Sequence, residues 1–298
     1  MVFEPTIATL APIVTAHRPQ PVDNAALTLD GADRTKAEHV FAHAVPESMS
    51  APQPHSAFLA LRAEIATIEA GDRAPRMVLP FGVPELDVKL PQGGLAIGAL
   101  HEIAGGGNGA IHGSASALFA AGIAARTRGQ ILWCVTRADL FAPSLQQAGL
   151  SSNRVIYVEA EDETSVLACF EEGLRHGGLG CVVGEVARLS MTASRRLQLA
   201  AEGSGTMAIA IRRWRRQTEA ADFGQPTAAQ TRWRVTALPS SPLPVVGVGR
   251  GRWFIELIRC KAGECADFEL EACDETGRLA LPPHLADRSA ATPAWTRR

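Results

Sequence analysis

Lysine is nearly absent from this sequence. The 298 residues include only Lys36, Lys89 and Lys261, so that no lysine lies between Leu90 and Cys260. A nucleotide-binding loop of the form G-x-x-x-x-G-K-[ST] uses its lysine to reach the nucleotide phosphates. No loop of this form therefore exists in the interior of the chain, and any glycine-rich loop found there lacks the usual cation.

Features that identify other common functional classes are also missing. No C-x-x-C pair occurs, and we assign no histidine to a metal site, so we expect none. No segment approaches the ~20 consecutive apolar residues of a membrane-spanning helix. The formal net charge of -2 provides no general attraction to nucleic acid or membrane. We expect a cytoplasmic protein with buried, reduced thiols at Cys134, Cys169, Cys181, Cys260, Cys265 and Cys273.

Composition divides the chain into four segments. Residues 1–55 are rich in proline, alanine and polar residues without periodicity, which predicts a disordered leader. Residues 56–77 are expected to form an N-terminal helix and linker, because Leu59, Ile65 and Ile68 recur at helical spacings. This helix either packs on its own domain or binds a partner protein. Residues 78–281 form the core, and residues 282–298 a flexible tail.

The core alternates apolar strands with helices, which predicts an α/β fold with a mainly parallel sheet covered by helices on both faces. One helix is expected from Ser114, as its N-cap, to Gly129. After Arg216 the apolar residues alternate with period two, which predicts antiparallel strands that extend the sheet. Trp233 and Trp253 are expected to pair across these strands, with arginines stacked over the indoles. The three strands cover residues 231–238, 252–263 and 267–277.

The segment LPFGVPELDVKLPQGGLAIGALHEIAG, residues 79–105, carries a family resemblance. It contains a glycine turn, an L-D pair and then the pattern G-G-h-x-x-G-x-h-x-E-h, where h is apolar, ahead of a glycine-rich loop. This order resembles the start of the RecA-type recombinase core, and the similarity extends to about Arg213. The resemblance implies a RecA-like fold, whose active members bind ATP at the glycine-rich loop.

The loop after this segment is glycine-rich but lacks the phosphate-binding side chains of the RecA-type pattern. In register from Gly105, the Gly-Lys-Thr positions hold Ala110, Ile111 and His112. The backbone amides and the helix start at Ser114 could still hold an anion, or the loop could serve only to close the turn from strand to helix. This glycine-rich loop consists of Gly105, Gly106, Gly107, Gly109, Gly113 and Ser114.

The two carboxylates of the RecA-type pattern are displaced as well. The position of the catalytic carboxylate falls on Ala138, with Asp139 one residue later. The position of the magnesium-site aspartate falls on Gly184, with Glu185 next to it. A shift by one residue reverses the face to which a strand residue points, so neither acid is expected to substitute. We therefore expect no ATP hydrolysis.

Residues from about Ser56 to Asp287 resemble the ImuA family of bacterial damage-inducible mutagenesis proteins. The 79–105 segment, the lysine-free loop and the segments TRWRVTALPSSP, GRWFIELIRCKAG and FELEACDETGRLALP carry this resemblance. It implies an accessory role in SOS-induced translesion synthesis beside RecA, ImuB (an inactive relative of the Y-family polymerases) and an error-prone DnaE-type polymerase. It also implies a non-catalytic cytoplasmic adaptor without cofactor, associated with the nucleoid when DNA is damaged. The cell-division inhibitor SulA is a more distant relative by the same resemblance.

An arginine-rich segment, RRWRRQ, follows the last parallel strand that the pattern predicts. Arg212, Arg213, Arg215 and Arg216 surround Trp214. Arginine pairs with phosphate and tryptophan stacks on bases, so single-stranded DNA is one candidate ligand, while a protein partner or a solvated charge run are the others.

Two further functions stay open beside the adaptor. The first is an active ATPase with an atypical loop, whose turnover would depend on Glu102, Asp139 or Glu185. The second is a single-stranded DNA-binding protein that uses the arginines of the RRWRRQ segment.

Overall fold

A computed structural model describes the part of the chain that contains the predicted core. The predicted leader lies outside the described residues. The N-terminal helix with its linker and the C-terminal tail also lie outside them, except for Met77 and Pro282. Leu59, Ile65, Arg215 and Arg216 therefore also lie outside them. The described residues are 77–107, 109–214, 220–240, 243 and 245–282.

The strands of the described residues form two sheets. Their bounds are β1 Val78–Leu79, β2 Leu95–Ala96, β3 Leu100–Gly105, β4 Ile131–Val135, β5 Val155–Glu159, β6 Cys181–Val186, β7 Met207–Arg212, β8 Thr231–Leu238, β9 Arg252–Cys260 and β10 Ala266–Glu271. β1 and β2 form a short antiparallel pair. The other eight strands form one sheet in the order β10-β9-β8-β3-β7-β6-β4-β5. The six neighbouring strands β8, β3, β7, β6, β4 and β5 are parallel to one another. β9 pairs antiparallel with β8, and β10 pairs antiparallel with β9.

Helices cover both faces of the large sheet. Their bounds are α1 Pro84–Asp87, α2 Ala110–Ala125, α3 Ala142–Gln147, α4 Glu163–His176 and α5 Met191–Ser204. α2 and α3 pack on one face of the sheet, and α4 and α5 pack on the opposite face. The predicted α/β class, with a mainly parallel sheet between helices and an antiparallel extension, is confirmed.

Local sequence signals explain where α4 and α5 begin and end. The Asp162 carboxylate accepts a hydrogen bond from the Ser165 N–H at 2.7 Å, and α4 ends at Gly177, which has φ 70°. The Ser190 hydroxyl accepts one from the Ala193 N–H at 3.2 Å at the start of α5. A side-chain oxygen before the first turn and a left-handed glycine after the last satisfy backbone groups that the helix itself leaves unpaired.

The two tryptophans of the C-terminal strands pack on α2, which corrects the predicted cross-strand pair. In the β8–β9 register Trp233 lies opposite Leu257, and Trp253 lies opposite Ala237. Both indoles instead contact the Phe119 ring edge-on, with centroid distances of 5.7 and 6.2 Å. Such edge-to-face contacts fix the helix over the extended part of the sheet.

Two further expectations about elements are corrected. The helix predicted to start at Ser114 starts at Ala110, because Gly109 adopts φ 115° as its N-cap and the helix runs through Gly113; it ends at Ala125, before Gly129. β8 was expected to be antiparallel but is parallel to β3, and the antiparallel part begins at β9. Period-two alternation marks a half-buried strand but carries no information about its direction.

The six cysteines, all among the described residues, are free thiols with unequal exposure. Cys134 and Cys181 are buried as expected, and burial raises the pKa of the Cys134 thiol to about 12. Cys265 is exposed, which contradicts the expectation of burial for this residue. Within the described ranges, no helix combines the length and apolar character that a membrane crossing requires.

Candidate functional site

A cleft of about 1000 Å³ opens at the carboxyl ends of the parallel strands. The glycine-rich loop after β3 forms one side, and the residues that follow β4, β5, β6 and β7 form the rest. Parallel strands bring these chain segments together because their carboxyl ends all meet at one edge of the sheet, where α/β proteins usually bind ligands. The cleft is therefore the place to compare with a nucleotide site.

The glycine-rich loop is attached to the neighbouring strand β8. The Gly106 N–H donates to the Val235 carbonyl at 2.8 Å, and the Ala237 N–H donates to His112 Nδ1 at 3.2 Å. A Cβ atom on Gly106 would lie 1.7 Å from Thr236 Oγ1, so only glycine fits this approach. The backbone donor of Gly106 and the His112 ring thus bond within the protein and face away from the cleft.

The start of α2 offers the cleft no positive side chain. Ile111, at the lysine position of the RecA-type pattern, is 65% exposed to solvent. Gly109, Gly113 and Ser114 line the cleft, and Ser114 is an exposed residue within the helix instead of its N-cap. The predicted loop residues other than Gly106 border the cleft or its rim, but without the cation that holds a phosphate.

An ion-pair triad crosses the cleft. Arg213, directly after β7, donates to both carboxylate oxygens of Asp139 at 2.7 Å each and to Glu185 Oε2 at 2.8 Å. The Trp133 indole donates to the other Glu185 oxygen at 3.0 Å. Burial lowers the pKa of Arg213, but the hydrogen bonds and charges of the two acids outweigh it and raise this pKa above its ordinary value. Both acids thereby have a cationic partner within the protein, and the triad keeps one unbalanced negative charge.

The one-residue shift predicted that Glu185 and Asp139 would point away from the cleft, but the triad shows that both side chains point into it. Glu185 lies on the α2 side of β6, lines the cleft and is buried, whereas Gly184 faces α4. A Cβ atom on Gly184 would lie 2.4 Å from the Phe170 ring. The strand thus presents an acid to the cleft one residue later than the pattern suggests, and Asp139 reaches the same point from the loop after β4.

Negative charge predominates in the cleft lining. Three arginines line it, of which Arg213 is bound in the triad and Arg212 is buried beneath the cleft. Five carboxylates line it: Asp139, Glu161, Asp162, Glu163 and Glu185. An excess of carboxylates repels polyanions and attracts cationic groups.

A buried charge network under the cleft removes Arg212 and Glu102 from the candidate sites. Arg212 Nη1 lies 2.5 Å from Glu102 Oε1, and its other amino group pairs with Asp222 and donates to the Ala187 carbonyl. Arg232 Nε lies 2.9 Å from Glu102 Oε2, and the Thr227 hydroxyl donates to the same oxygen at 2.8 Å. Both Glu102 and Arg212 side chains are fully buried. Arg212 cannot contact DNA or a partner in this state, and Glu102 joins strands β3, β7 and β8 instead of serving the cleft.

Protein ImuA from two strains of Caulobacter vibrioides, NA1000 / CB15N and ATCC 19089 / CIP 103742 / CB 15, is similar to this chain. The identity is 37% over 245 residues, which span 78% of this chain and 99% of the relative. The chain belongs to the ImuA family. No family model matches it.

Two solved structures are similar to this ImuA-family chain at lower identity. The RadB recombinase is 15% identical with a TM-score of 0.49, over 70% of this chain and 100% of RadB. SulA from Pseudomonas aeruginosa is 24% identical with a TM-score of 0.33, over 38% of this chain and 96% of SulA.

The remaining candidate contact residues of this ImuA-family chain lie at the edge of the cleft. The Trp214 ring packs against Phe223 with a centroid distance of 5.8 Å, and the Arg213 side chain is 42% exposed. The guanidinium groups of Arg212, Arg232 and Arg234 lie 4.5 to 6.0 Å from the Phe223 ring, whereas the sequence predicted arginines stacked over the indoles. No sequence motif marks Phe223; its only signal is its position between two arginine-rich segments.

Proposed function

We propose that this chain is a RecA-like accessory protein of damage-inducible mutagenesis, which binds other proteins and does not hydrolyse ATP. The observation that carries this proposal is the position of Arg213, whose guanidinium bonds to Asp139 and Glu185 in the cleft. An active site of the RecA type needs carboxylates that are free to act on magnesium and water. Here both acids already have a cationic partner.

The electrostatics of the cleft support the same proposal. Nucleotide phosphates need positive side chains or free backbone amides, and the glycine-rich loop supplies no lysine or arginine. The Gly106 amide is bonded to β8, and the lining carries more carboxylates than arginines. The net negative charge of the lining would therefore repel the phosphates of a nucleoside triphosphate.

We propose RecA, an ImuB-type inactive polymerase and an error-prone DnaE-type polymerase as the partners, in the cytoplasm and at the nucleoid after DNA damage. Family membership supports this choice. One chain that binds two partners raises the effective concentration of each near the other, so assembly would proceed without turnover. The segment with Leu59 and Ile65 is a candidate contact. A folded Leu59→Asp, Ile65→Asp variant that still binds both partners would exclude this segment.

Calorimetric titration of the full chain with ATP and magnesium tests the proposal directly. We expect no heat of binding at millimolar ATP and no hydrolysis, while an active RecA protein in the same buffer serves as the positive control. The Arg213→Ala variant is expected to behave like the wild type, because the loop still lacks its lysine. Magnesium-dependent binding or turnover by the wild-type chain would overturn the proposal and restore an ATPase.

A further inference from the structure

The cleft has an apolar wall that is only partly covered. Phe141 precedes α3 and is 68% exposed, although it lines the cleft. Ile111 lies outside the cleft lining, is 65% exposed and is on the same face of α2 as Leu118, two turns before it. The other apolar side chains of this wall are Ala117, Leu118, Leu140 and Leu145. Large apolar side chains exposed beside a concave surface are typical of protein-binding sites.

Next to the apolar side chains, an acidic wall of the cleft already holds a guanidinium group. Asp139 binds the Arg213 guanidinium through both carboxylate oxygens, and Glu185 binds it from the side. Such bidentate geometry suits arginine more than lysine, because the planar guanidinium matches the two oxygens of a carboxylate. Glu161 is exposed at the same wall. Arg213 thus shows which chemical group this wall accepts.

We infer that the cleft binds a short peptide segment of a partner protein, in which arginine is flanked by large apolar residues. The arginine would pair with Glu161 and with the negative charge that Arg213 leaves unbalanced at Asp139 and Glu185. The apolar residues would pack on Phe141 and Ile111. This inference rests on the proposed adaptor function and names the chemistry of the partner at this site. The cleft volume of about 1000 Å³ lies at the upper end of small-ligand pockets, about 300–1,000 Å³, so that it accommodates several side chains.

Charge complementarity favours this occupant over a nucleotide or a nucleic acid. A phosphate group would approach a lining with five carboxylates and three arginines, whereas an arginine side chain would approach a surface that already binds one. The apolar wall adds contact area that a phosphate backbone does not use. Aromatic and arginine side chains are also the residues that most often dominate protein–protein binding energies.

A peptide titration of the full chain tests the site without any partner protein. The probe is the fluorescein-labelled peptide GLRWLRLLRG, and its control GLEWLELLEG has glutamate at each arginine position. We expect the arginine peptide to bind at least tenfold more tightly, as measured by fluorescence anisotropy. Phe141→Ser is expected to weaken this binding at least tenfold. Leu199→Ser, which changes a 61% exposed residue of α5 on the other face of the sheet, is expected to leave it unchanged.

The outcomes of the titration decide the inference either way. Absence of binding, equal binding of the two peptides, equal effects of Phe141→Ser and Leu199→Ser, or displacement of the arginine peptide by ATP with magnesium would each overturn it. Circular dichroism of both variants establishes that they are folded. Both substitutions lie at exposed side chains, so the fold is expected to persist.

Binding to the purified ImuB-type polymerase and to RecA separates this inference from the proposed function. If the wild type binds either partner and Phe141→Ser weakens that binding at least tenfold, the adaptor function and the cleft as its binding site are both supported. If the wild type and Phe141→Ser bind equally well, the adaptor function stands and the cleft is not its site. If the wild type binds neither partner, the adaptor function fails, and the peptide titration alone decides whether the cleft takes an arginine-containing segment.

Discussion

Arg213 is the cationic partner of two carboxylates that face the cleft. Glu185 is buried, and without Arg213 its remaining side-chain partner is the Trp133 indole. Arg213→Ala therefore leaves a buried carboxylate without a counter-charge. Because Arg213 is 42% exposed, water replaces part of the lost interaction, and we expect the free energy of unfolding to fall by only about 1 kcal/mol. Urea denaturation of the purified variant measures this change.

The control for Arg213 is a double-mutant cycle with Glu185. In a Glu185→Gln background the side chain at 185 carries no charge, so Arg213→Ala should cost less than it does in the wild type. A cycle with Asp139→Asn should show a smaller coupling, since Asp139 is 46% exposed. Equal costs of Arg213→Ala with and without the Glu185 charge would contradict the assigned role.

His101 is a buried neutral histidine whose tautomer follows from its partners. The Trp233 indole donates to the Thr231 hydroxyl at 2.6 Å, which leaves the Thr231 proton for His101 Nδ1 at 2.8 Å. His101 Nε2–H then donates to the Ala96 carbonyl at 2.9 Å. Burial lowers the pKa of His101 from 6.5 to about 4, although the Ala96 carbonyl opposes this shift.

The lowered pKa of His101 predicts a loss of stability in acid. Above pH 6.5 the ring is neutral in both the folded and the unfolded chain, so it contributes no pH dependence. Between pH 6.5 and about 4 only the unfolded chain binds the proton, so the free energy of unfolding decreases as the pH falls, by about 3 kcal/mol in total. Denaturation at a series of pH values measures the slope.

Two histidine variants test this pH dependence. His101→Gln should remove the part of the slope between pH 6.5 and 4, whether or not it lowers stability at pH 7. His176→Gln, which changes an exposed histidine at the end of α4, is the control variant for this measurement. A slope that persists in His101→Gln would show that carboxylates, and not this ring, determine it.

At the scale of elements, the alternation of β6 decides which residues face the cleft. Gly184 faces α4, and a Cβ atom there would lie 2.4 Å from the Phe170 ring. Gly184→Asp, which restores the acid at the position of the RecA-type pattern, therefore forces a charge against a buried ring. We expect it to lower the free energy of unfolding by at least about 2 kcal/mol and to restore no magnesium or nucleotide binding.

Gly184→Ala separates the two parts of this effect. It adds only the Cβ atom, so its cost measures the steric conflict with Phe170, about 1–3 kcal/mol. The further cost of Gly184→Asp measures the burial of the carboxylate. A well-folded Gly184→Asp variant that binds ATP with magnesium would contradict the orientation of β6.

Element types and the mainly parallel sheet were predictable from the sequence, whereas the direction of β8 and the side to which Glu185 points were not. A cap such as Ser190 and a stop glycine such as Gly205 mark the two ends of a helix locally, because these signals act within a few residues. The start of α2 was misplaced, since Gly109 and Gly113 give no side-chain signal. The orientation of Glu185 needed the register of β6, which depends on its neighbours in the sheet.

At the scale of the whole molecule, charge argues against strong binding of single-stranded DNA. The net charge is -2, Arg212 is buried, and Arg213 is paired with two acids. We expect weak oligonucleotide binding in fluorescence anisotropy, with a shallow dependence on salt concentration. Arg213→Ala and a combined Arg215→Ala, Arg216→Ala variant should leave it unchanged.

Steep salt-dependent binding that the arginine variants abolish would instead favour a DNA-binding function. Leu199→Ser serves as the matched control, since it changes an exposed residue without a change in charge.

The site could be predicted only in outline, because its decisive contacts join distant parts of the chain. The sequence placed a lysine-free loop, two displaced acids and an arginine cluster at the ends of strands. It did not indicate that Arg213 pairs with Asp139, 74 residues away, or that Arg212 pairs with Glu102, 110 residues away. Pairings at such separations depend on strand order, which local patterns do not encode.

The hydrogen bond from the Trp133 indole to Glu185 allows binding in the cleft to be followed by the NMR signal of this indole N–H. The chain contains five tryptophans, so a nitrogen-15 spectrum holds at most five indole signals, and Trp133→Phe identifies the one beneath the cleft. Any ligand that takes Arg213 from Glu185 changes the charge at the acceptor of this indole proton and shifts its resonance. Trp133 is thus a built-in reporter, with which occupancy of the cleft can be followed for each partner without a dye or an affinity tag.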